Sequence, residues 1–300
     1  MSTVCILLSA FNGEKYLREQ ITSLIGQKGV SFNIIVRDDG STDSTISILK
    51  EYADKHVLTL IRGNNIGWRK SFMELLYSAP LSDYYAFCDQ DDIWLPQKLK
   101  IATDILNQMP KNLPNLYCSN LLYYKDGVNY GPIIKSMPIL SVQSAMLRCI
   151  SAGCTMVFNR SLWEYVFYNR PDYVSAHDFW CYQVAALFGN VHYDSNSYIL
   201  YRQHENNQIG MKIKKKEIWR KRINGIRINF HATYRQHAAK EILRLYGNML
   251  SDEKRQIVER IALYDNSVKN RLSLCFDTKY TMGNIAQDLW LRIRILFGNI

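Results

Sequence analysis

The sequence predicts an α/β fold built on a mostly parallel sheet. Short apolar segments of strand length alternate with amphipathic segments of helix length through the first half of the chain. The 300 residues are enough for one large α/β domain with an appendage, and a hydrophobic content of 47% is enough for a packed core. This alternation implies helices on both faces of the sheet.

The individual elements follow from apolar periodicity and turn residues. Four strands are expected at Val4–Ala10, Phe32–Arg37, Leu58–Arg62 and Tyr84–Cys88. Helices are expected at Glu14–Gln27, from Ser41-Thr42-Asp43 to about Lys55, near Arg69–Ser78 and from Pro96 to about Gln108. Pro96 suits the first turn of a helix because the N–H that it lacks would have no partner there.

The pattern weakens between residues 110 and 150, where four prolines predict loops with short strands. Further along, a strand is expected at Ser151–Asn159, a helix at His177–Phe188, a last short strand at Tyr198–Gln203 and a flexible loop at Asn206–Gly210. Helices are then expected at Lys212–Ile228, around His231–Leu250, at Asp252–Leu272 and at Leu289–Phe297.

The charge is distributed unevenly along the chain. Residues 1–211 hold 18 Lys and Arg against 19 Asp and Glu, whereas residues 212–300 hold 19 against 8. The whole net charge of +10 therefore lies in the last third. This asymmetry predicts two parts, an α/β domain over residues 1–211 and a basic helical region over residues 212–300.

Targeting signals and cysteine patterns limit the class of protein. No stretch reaches the roughly 18 uninterrupted apolar residues of a membrane span. The first apolar run, Val4–Leu8, lacks a preceding basic region and a following cleavage site, which indicates a strand rather than a signal peptide. The seven cysteines are scattered without a CxxC pair, so neither a zinc site nor a disulfide framework is indicated. We therefore expect a cytoplasmic protein.

The acidic quartet Asp89-Gln90-Asp91-Asp92 directly follows the fourth expected strand. Three carboxylates so close together repel one another unless a cation lies among them. Oxygen ligands of this kind suit a divalent metal, and a phosphate could bind behind it. A solvated acidic turn or a helix cap explains the quartet equally well when it is taken alone.

Polar loops follow all four expected strands. They run over Ser9–Gly13, Arg37–Asp43, Arg62–Gly67 and the acidic quartet. Because the carboxyl ends of parallel strands share one edge of a sheet, where ligands of such sheets bind, we expect these loops to lie together.

These loops resemble those of the family 2 glycosyltransferases, which have a GT-A fold. The matching residues are Ala10-Phe11-Asn12, Asp38–Asp43, Asn65-Ile66-Gly67, and Asp89-Gln90-Asp91-Asp92 followed by Trp94. The resemblance covers roughly residues 3–210. Asp89–Trp94 and Tyr201–His204 are similar to a bacterial branch that includes rhamnosyltransferases. The resemblance to the family implies a GT-A, Rossmann-like sandwich. It also implies that the protein binds Mg²⁺ or Mn²⁺ and a nucleotide-diphosphate sugar, which could be a dTDP-, UDP- or GDP-sugar.

The resemblance also implies roles for single residues. Asp91 is expected to bind the metal directly and His204 to be a further ligand, while Asp89 contacts the ribose or a metal-bound water. Arg202 can clamp a phosphate through its guanidinium fork. The expected donor-binding residues are Ala10, Asn12, Asp38, Asp39, Asn65, Asp89, Gly153 and Arg202. No role is assigned to Asp92.

Inverting transfer needs a base that deprotonates the acceptor hydroxyl as it attacks the anomeric carbon. The family places a carboxylate at the start of a late helix, often as Glu-Asp, and this chain has His177-Asp178 there. We predict Asp178 as the base. A favourable interaction of its charge with the helix dipole is the structural alternative. Capping or packing is the expected role of His177.

The basic C-terminal third combines positive charge with Trp, Leu and Ile, notably over Lys212–Ile223 and Leu289–Phe297. Such helices can lie peripherally on the anionic inner face of a cytoplasmic membrane. An ordinary solvated face packed on the catalytic domain is the alternative. A basic helix with aromatic residues also suits nucleic acid, but no nucleic-acid fold motif accompanies it, so we expect no such partner.

Together these features predict an inverting glycosyltransferase. We expect it to move a sugar, such as rhamnose from dTDP-rhamnose, to a lipid-linked or oligosaccharide acceptor in the synthesis of a cell-surface polysaccharide or O-antigen. A nucleotidyltransferase could use the same acids, but it would have a Gly-rich phosphate loop with Lys, and Ser9–Gly13 is not one. An inactive transferase-like module that binds membranes or polyanions is the non-enzymatic alternative.

Overall fold

The computed structural model describes residues 2–204 and 233–300, which form two compact units. The first unit contains the described part of Met1–Met137, together with Ser151–Arg170 and Ala176–Arg202. The second contains Pro138–Ile150, Pro171–Ser175 and the described part of Gln203–Ile300. Two short segments of the α/β sequence therefore belong to the helical unit. The loop expected at Asn206–Gly210 and the helix expected at Lys212–Ile228 lie outside the described residues.

The strands of the first unit form one mixed sheet, which has nine strands over the described residues. They are β1 (Thr3–Ala10), β2 (Ser31–Asp38), β3 (Thr59–Arg62), β4 (Tyr84–Asp89), β5 (Ile93–Trp94), β6 (Asn115–Lys125), β7 (Val128–Pro132), β8 (Val157–Asn159) and β9 (Asn190–Arg202). Their order is β3-β2-β1-β4-β8-β6-β9-β5, and β7 pairs with β6.

The first four strands run parallel in the order β3-β2-β1-β4. The register places Ala10 opposite Asp38, Asp38 opposite Arg62 and Ser9 opposite Asp89. The four polar loops therefore begin at one edge of the sheet, which confirms the expectation from the sequence. Strand β8 is antiparallel to both neighbours, while β6 and β9 are parallel.

Helices pack against this sheet because each has an apolar face. They are α1 (Leu17–Ile25), α2 (Thr45–Asp54), α3 (Trp68–Ser78), α4 (Lys98–Asn107), α6 (Arg160–Tyr168) and α7 (His177–Phe188). Alternate residues of β1, including Ile6 and Leu8, are buried with Ile21 and Leu24 of α1 in one apolar core. The mostly parallel α/β class and the span of α7 agree with the sequence prediction.

The structure corrects three element predictions in the first unit. The stretch after residue 110 contains the eleven-residue strand β6, which ends in a hairpin turn at Asp126 and Gly127, both with positive φ. Ser151–Asn159 is a 3₁₀ turn followed by only three strand residues. The last strand, β9, begins at Asn190 rather than near Tyr198.

The second unit is helical. It contains α5 (Val142–Ala145), α8 (Tyr234–Tyr246), α9 (Asp252–Ala262), α10 (Val268–Phe276) and α11 (Ile285–Leu296). The single helix predicted over Asp252–Leu272 is two helices, because the Ser267 side chain accepts a hydrogen bond from Asn270 N and starts α10. Among the described residues, no helix is both long and apolar enough to cross a bilayer.

Candidate active site

Gln90 connects the first polar loop, Ser9–Gly13, with the acidic quartet Asp89–Asp92, which we call the acidic loop. Its Oε1 accepts a hydrogen bond from Phe11 N at 2.8 Å and its Nε2 donates one to Phe11 O at 2.9 Å. A Cβ atom on Gly13 would lie 2.2 Å from Gln90 Oε1, so only glycine leaves room for this amide. Gln90 was missed in the sequence, where a lone amide among three acids was its only signal.

The first loop also shapes the second. Asn12 has a positive φ of 47°, and its Oδ1 accepts from Thr42 N at 2.8 Å. Its own N donates to Ser41 Oγ at 3.0 Å, and Gly13 N donates to Thr45 Oγ1 at 2.8 Å. The side chain of Asn12, predicted to bind the donor, is thus used to hold the loop that begins with Asp38 and Asp39.

Asp39 is buried and paired with the buried Arg37. Its Oδ1 also accepts from Ile66 N at 3.0 Å, and its Oδ2 accepts from Gly67 N at 2.9 Å. The Arg37 guanidinium fills the space where a Cβ on Gly63 would lie. In this arrangement both oxygens of Asp39 anchor the third loop. Contact of Asp39 with a nucleotide base stays a prediction.

Among the described residues, only one of the two carboxylate oxygens of Asp38 accepts a hydrogen bond. Its Oδ2 accepts from Ser41 N at 3.2 Å, while the buried Oδ1 has no hydrogen-bond partner among the described residues. Ala10 lies beside it at the end of β1, and Ala10 O accepts from Asp39 N at 2.8 Å. Asn65 is exposed, and its Oδ1 accepts from Gly67 N at 3.2 Å. The oxygen of Asp38 is therefore suited to receive a ligand N–H or hydroxyl.

The acidic loop concentrates negative charge beside a thiol. Ligand atoms of Asp89, Asp92 and Cys154 lie within 4.8 Å of one another, with Asp92 and Cys154 buried. Burial, with the charges of Asp91 and Asp178, raises the pKa of Asp89 to about 7. Burial, followed by the charges of Asp91 and Asp89, raises the pKa of Asp92 well above its usual range. A cation bound here would relieve both carboxylates.

The predicted metal ligand Asp91 lies outside this triplet, so its role stays a prediction. Arg202 determines how the loop is held. Its Nε donates to Asp91 O at 2.9 Å, its backbone N donates to Asp92 Oδ1 at 3.2 Å, and its guanidinium pairs with Glu19. The predicted phosphate clamp thus fixes the acidic loop in this structure, and Asp92, for which the sequence offered no role, receives a structural one.

Lys98 is a fully buried cation near the acidic loop. Its ammonium lies 3.6 Å from the centroid of the Trp94 ring and has no hydrogen-bond partner among the described residues. Burial lowers its pKa to about 8, against the opposing influence of Cys154, Cys88 and Asp92. Neither Lys98 nor Cys154 was singled out in the sequence, because their proximity to the acids depends on the fold.

Asp178 lies in the first turn of α7, half-buried, where its Oδ1 accepts from Phe179 N at 2.8 Å. Its charge contributes, after burial and Asp91, to the raised pKa of Asp89, so the predicted base lies near the acidic loop. A Cβ on Gly153 would lie 3.0 Å from Asp178 Cβ and 2.8 Å from His177 Nε2. The predicted site residue Gly153 therefore permits this close approach.

His177 packs as a buried aromatic ring. Its ring centroid lies 3.9 Å from that of Phe72, 4.5 Å from Phe87 and 5.8 Å from Trp68. Neither ring nitrogen has a hydrogen-bond partner among the described residues. Burial lowers its pKa to about 4, so the ring is neutral at physiological pH. Packing was the expected role.

His204 belongs to the second unit. Its role as a metal ligand stays a prediction.

Sequence comparisons identify relatives over most of the chain. The family model described as glycosyl transferase family 2 matches residues 5–174. A dTDP-rhamnosyl transferase, RfbG of Shigella flexneri, is 32% identical over 260 residues, which cover 82% of this chain and 85% of the relative. An uncharacterised protein of Mycobacterium tuberculosis, Rv1520, is 28% identical over 211 residues, or 68% of this chain and 59% of that protein.

Solved structures share the fold. TarS residues 1–349 of S. aureus, in complex with UDP-GlcNAc, superposes with a TM-score of 0.61 at 18% identity, over 98% of this chain and 81% of that one. A mannosyltransferase from Pyrobaculum calidifontis, in complex with GDP-Man and Mn²⁺, gives 0.54 at 15% identity, over 98% and 85%. The fold is GT-A-like, as the resemblance implied. The chain belongs to glycosyl transferase family 2 and is a glycosyltransferase.

Proposed function

We propose that the protein is a metal-dependent inverting glycosyltransferase that transfers rhamnose from dTDP-rhamnose to a lipid-linked precursor of a cell-surface polysaccharide such as an O-antigen. One observation supports the chemistry above all. Gly153 lies directly beside Asp178, and the next residue, Cys154, has its thiol within 4.8 Å of the carboxylate oxygens of Asp89 and Asp92, so the proposed base lies near the acidic loop. The choice of donor follows from the similarity to the dTDP-rhamnosyl transferase.

The residues of the acidic loop fit Mg²⁺ or Mn²⁺. Carboxylate oxygens are the ligands that these ions prefer, and a cation would stabilise the ionised form of carboxyl groups whose pKa values are raised by burial and by neighbouring acids. Asp91 and Asp89 would hold the ion. The metal would supply charge neutralisation for the departing nucleoside diphosphate.

The other loops would hold the donor. The buried Oδ1 of Asp38 lacks a hydrogen-bond partner among the described residues, which fits a ribose hydroxyl or a base N–H. Arg37 and Asp39 anchor the third loop beside it, and Asn12 fixes the second. Nucleotide binding would then need little rearrangement of these loops, since internal hydrogen bonds already fix them.

Asp178 would act as the base. Its half-buried carboxylate can take the proton of the acceptor hydroxyl while that oxygen attacks the anomeric carbon from the side opposite the diphosphate. Gly153 permits Asp178 to lie at this position, because a Cβ on Gly153 would come within 3.0 Å of Asp178 Cβ. The nucleoside diphosphate departs with the electrons of the broken bond, and the configuration at the anomeric carbon is inverted.

The donor is tested by nucleotide release. Purified protein is incubated with dTDP-rhamnose, UDP-sugars and GDP-sugars, with Mg²⁺, with Mn²⁺ or with a chelator. We expect release from dTDP-rhamnose only with metal. Preference for a UDP- or GDP-sugar would contradict the donor assignment, and full activity in chelator would contradict the metal.

The base is tested with Asp178→Asn, which keeps the shape of the side chain. We expect a loss of about 10²–10⁴-fold in turnover, the usual contribution of a general base. The control is Asp126→Asn, an exposed acid in the hairpin turn where Asn tolerates the positive φ. Asp178→Asn with the activity of that control would remove the assignment.

A further inference from the structure

Trp68 is the first residue of α3, and 38% of it is exposed. Its ring meets that of His177 edge to face, with the centroids 5.8 Å apart, and the guanidinium of the exposed Arg69 lies 5.1 Å from its centroid. Because most of the surface of a Trp belongs to its side chain, part of the indole is open to solvent. A large aromatic side chain left this open gives up the stabilisation that full burial would provide.

The backbone around Trp68 is held by the second polar loop. Asp39 Oδ2 accepts a hydrogen bond from Gly67 N at 2.9 Å, directly before Trp68. In the first turn of α3, Ser71 N donates to Gly67 O at 3.0 Å, and Ser71 Oγ accepts from Arg37 Nη1 at 3.1 Å. The indole therefore stands on a preformed frame. An aromatic ring held in this way offers a large contact area, and ordering it on binding costs little conformational entropy.

The ring lies beside the helix turn that carries the proposed base. His177, its edge-to-face neighbour, directly precedes Asp178 at the start of α7. A Cβ on Gly153 would lie 2.8 Å from His177 Nε2 and 3.0 Å from Asp178 Cβ, so these residues converge on one point. The carboxylate oxygen proposed for the donor, Asp38 Oδ1, belongs instead to the end of β2. Because the base must contact the acceptor hydroxyl, Trp68 is placed on the side from which the acceptor arrives.

The chemistry of this surface suits a pyranose ring. The face of an indole carries partial negative charge, whereas the C–H groups of a sugar carry partial positive charge because their carbons bear oxygen. A sugar can therefore place its C–H groups against Trp68 and turn its hydroxyls towards polar groups. Arg69 supplies guanidinium N–H donors beside the ring, which sugar hydroxyls can accept. A flat ring with a donor beside it distinguishes a cyclic sugar from an open-chain polyol.

We propose that Trp68 is the platform on which the terminal pyranose ring of the acceptor stacks, with its attacking hydroxyl turned towards Asp178. The enzyme then recognises its acceptor through a sugar ring and not through a lipid alone. This inference deepens the proposed function, on which it rests for the role of Asp178, by naming a pyranoside as the group that the acceptor site binds. Binding of a pyranoside is measured without donor or metal, so each proposal can fail without the other.

The test is a saturation-transfer NMR titration of the full-length protein with methyl pyranosides. The probes are the methyl pyranosides of L-rhamnose, D-glucose, D-galactose and N-acetyl-D-glucosamine, with glycerol as a polyol that lacks a ring. Trp68→Ala removes the platform, and Trp68→Phe keeps an aromatic face. The matched control is Tyr168→Ala, because Tyr168 is 73% exposed and its ring contacts Phe167, which packs on Tyr77 at the opposite end of α3. Circular dichroism checks that all variants are folded.

We expect the parent protein to bind at least one pyranoside and not glycerol. The dissociation constant should rise about tenfold in Trp68→Ala, less in Trp68→Phe and not in Tyr168→Ala, since one aromatic contact with its apolar area is worth roughly a factor of ten. Absent binding of every pyranoside by the parent protein, or equal binding by Trp68→Ala, would overturn the proposal. Weaker binding of dTDP by Trp68→Ala, with pyranoside binding unchanged, would overturn it by assigning the ring to the donor base.

Transfer to the pyranoside that binds separates a platform from a structural role. Loss of the platform should raise the KM for that acceptor in Trp68→Ala and leave kcat and the KM for the donor unchanged. Trp68→Phe should restore most of the acceptor KM. A fall in kcat with an unchanged acceptor KM would show that Trp68 acts only by supporting His177 and Asp178, and would overturn the proposal.

Discussion

Two loops at the same edge of the sheet, Arg37–Asp43 and Asp89–Asp92, carry buried carboxylates, but only the first loop supplies a cation for one of them. Asp39, after β2, is neutralised within the protein by Arg37 and two backbone N–H groups. Asp89, the last residue of β4, and the nearby Asp92 lie close to each other, to Asp91 and to a thiol, and their pKa values are raised. Asp39 is therefore neutralised without a ligand, whereas the carboxylates of the acidic loop are not. Carboxylates that lie together without a cation of the protein between them are suited to binding a metal ion. A carboxylate that is already paired and hydrogen-bonded, such as that of Asp39, is suited to fixing the conformation of a loop.

The largest expected effect is on activity when the unsatisfied loop is changed. Asp91→Asn removes one charge from the acidic loop with little change in volume, and we expect turnover to fall by about 10²–10³-fold because the departing diphosphate loses metal stabilisation. The measurement is nucleotide release as a function of Mn²⁺ concentration, with Asp126→Asn as control. Equal activity and equal metal dependence in both variants would show that Asp91 does not hold the metal.

In the loop that holds Asp39, we expect a substitution to lower the free energy of unfolding. Arg37→Met leaves the buried Asp39 charge with only backbone donors, and breaking a buried pair in this way costs about 3–5 kcal/mol. Urea unfolding measures the change. Arg18→Met is the control, since Arg18 makes a similar 2.7 Å pair with Glu51 on the exposed surface and should leave the unfolding midpoint unchanged. A midpoint shift as small as that of the control would contradict the proposed anchoring role.

The pH dependence of stability should separate the two loops as well. The pKa of Asp89 is raised to about 7 in the folded protein, so the folded state binds more protons than the unfolded state between pH 4 and 7. Without metal, stability should therefore fall as pH rises through that window, by at most about 4 kcal/mol from this group. Thermal unfolding in chelator should show this slope, and Asp89→Asn should flatten it.

Added Mn²⁺ provides the matching control for Asp89. Because the ion favours the ionised carboxylates, it should stabilise the protein more at pH 8 than at pH 5. Equal stabilisation by Mn²⁺ at both values, or an unchanged slope in Asp89→Asn, would remove the acidic loop as the cause.

The sequence was sufficient to predict the parallel strands, their polar loops and the shared edge, because apolar runs and turn residues are local signals. It was not sufficient to predict which carboxylates are satisfied. The partner of Asp39 is only two residues away, but the pair forms because Gly63 leaves room for the guanidinium and the third loop supplies its N–H groups. Cys154 reaches Asp89 and Asp92 from a turn distant in the chain. Strand β6 was missed because neighbouring prolines outweighed its short apolar run.

His177 offers the smallest of these effects and tests whether burial without a partner acts in the same way on a basic group. Its pKa is lowered to about 4, so between pH 6.5 and 4 the unfolded state binds more protons than the folded state. Stability should be fully present above pH 6.5 and fall as the solution becomes more acidic, by at most about 3 kcal/mol. His177→Phe keeps the aromatic packing with Phe72 and Phe87 and should remove this loss. The measurement is urea unfolding of both proteins from pH 4 to 7, with His56→Asn as the control because His56 is exposed and Asn tolerates its positive φ of 56°. If His177→Phe kept the whole acid-induced loss, another group would be its cause, and the burial of His177 would not be what makes the protein sensitive to acid.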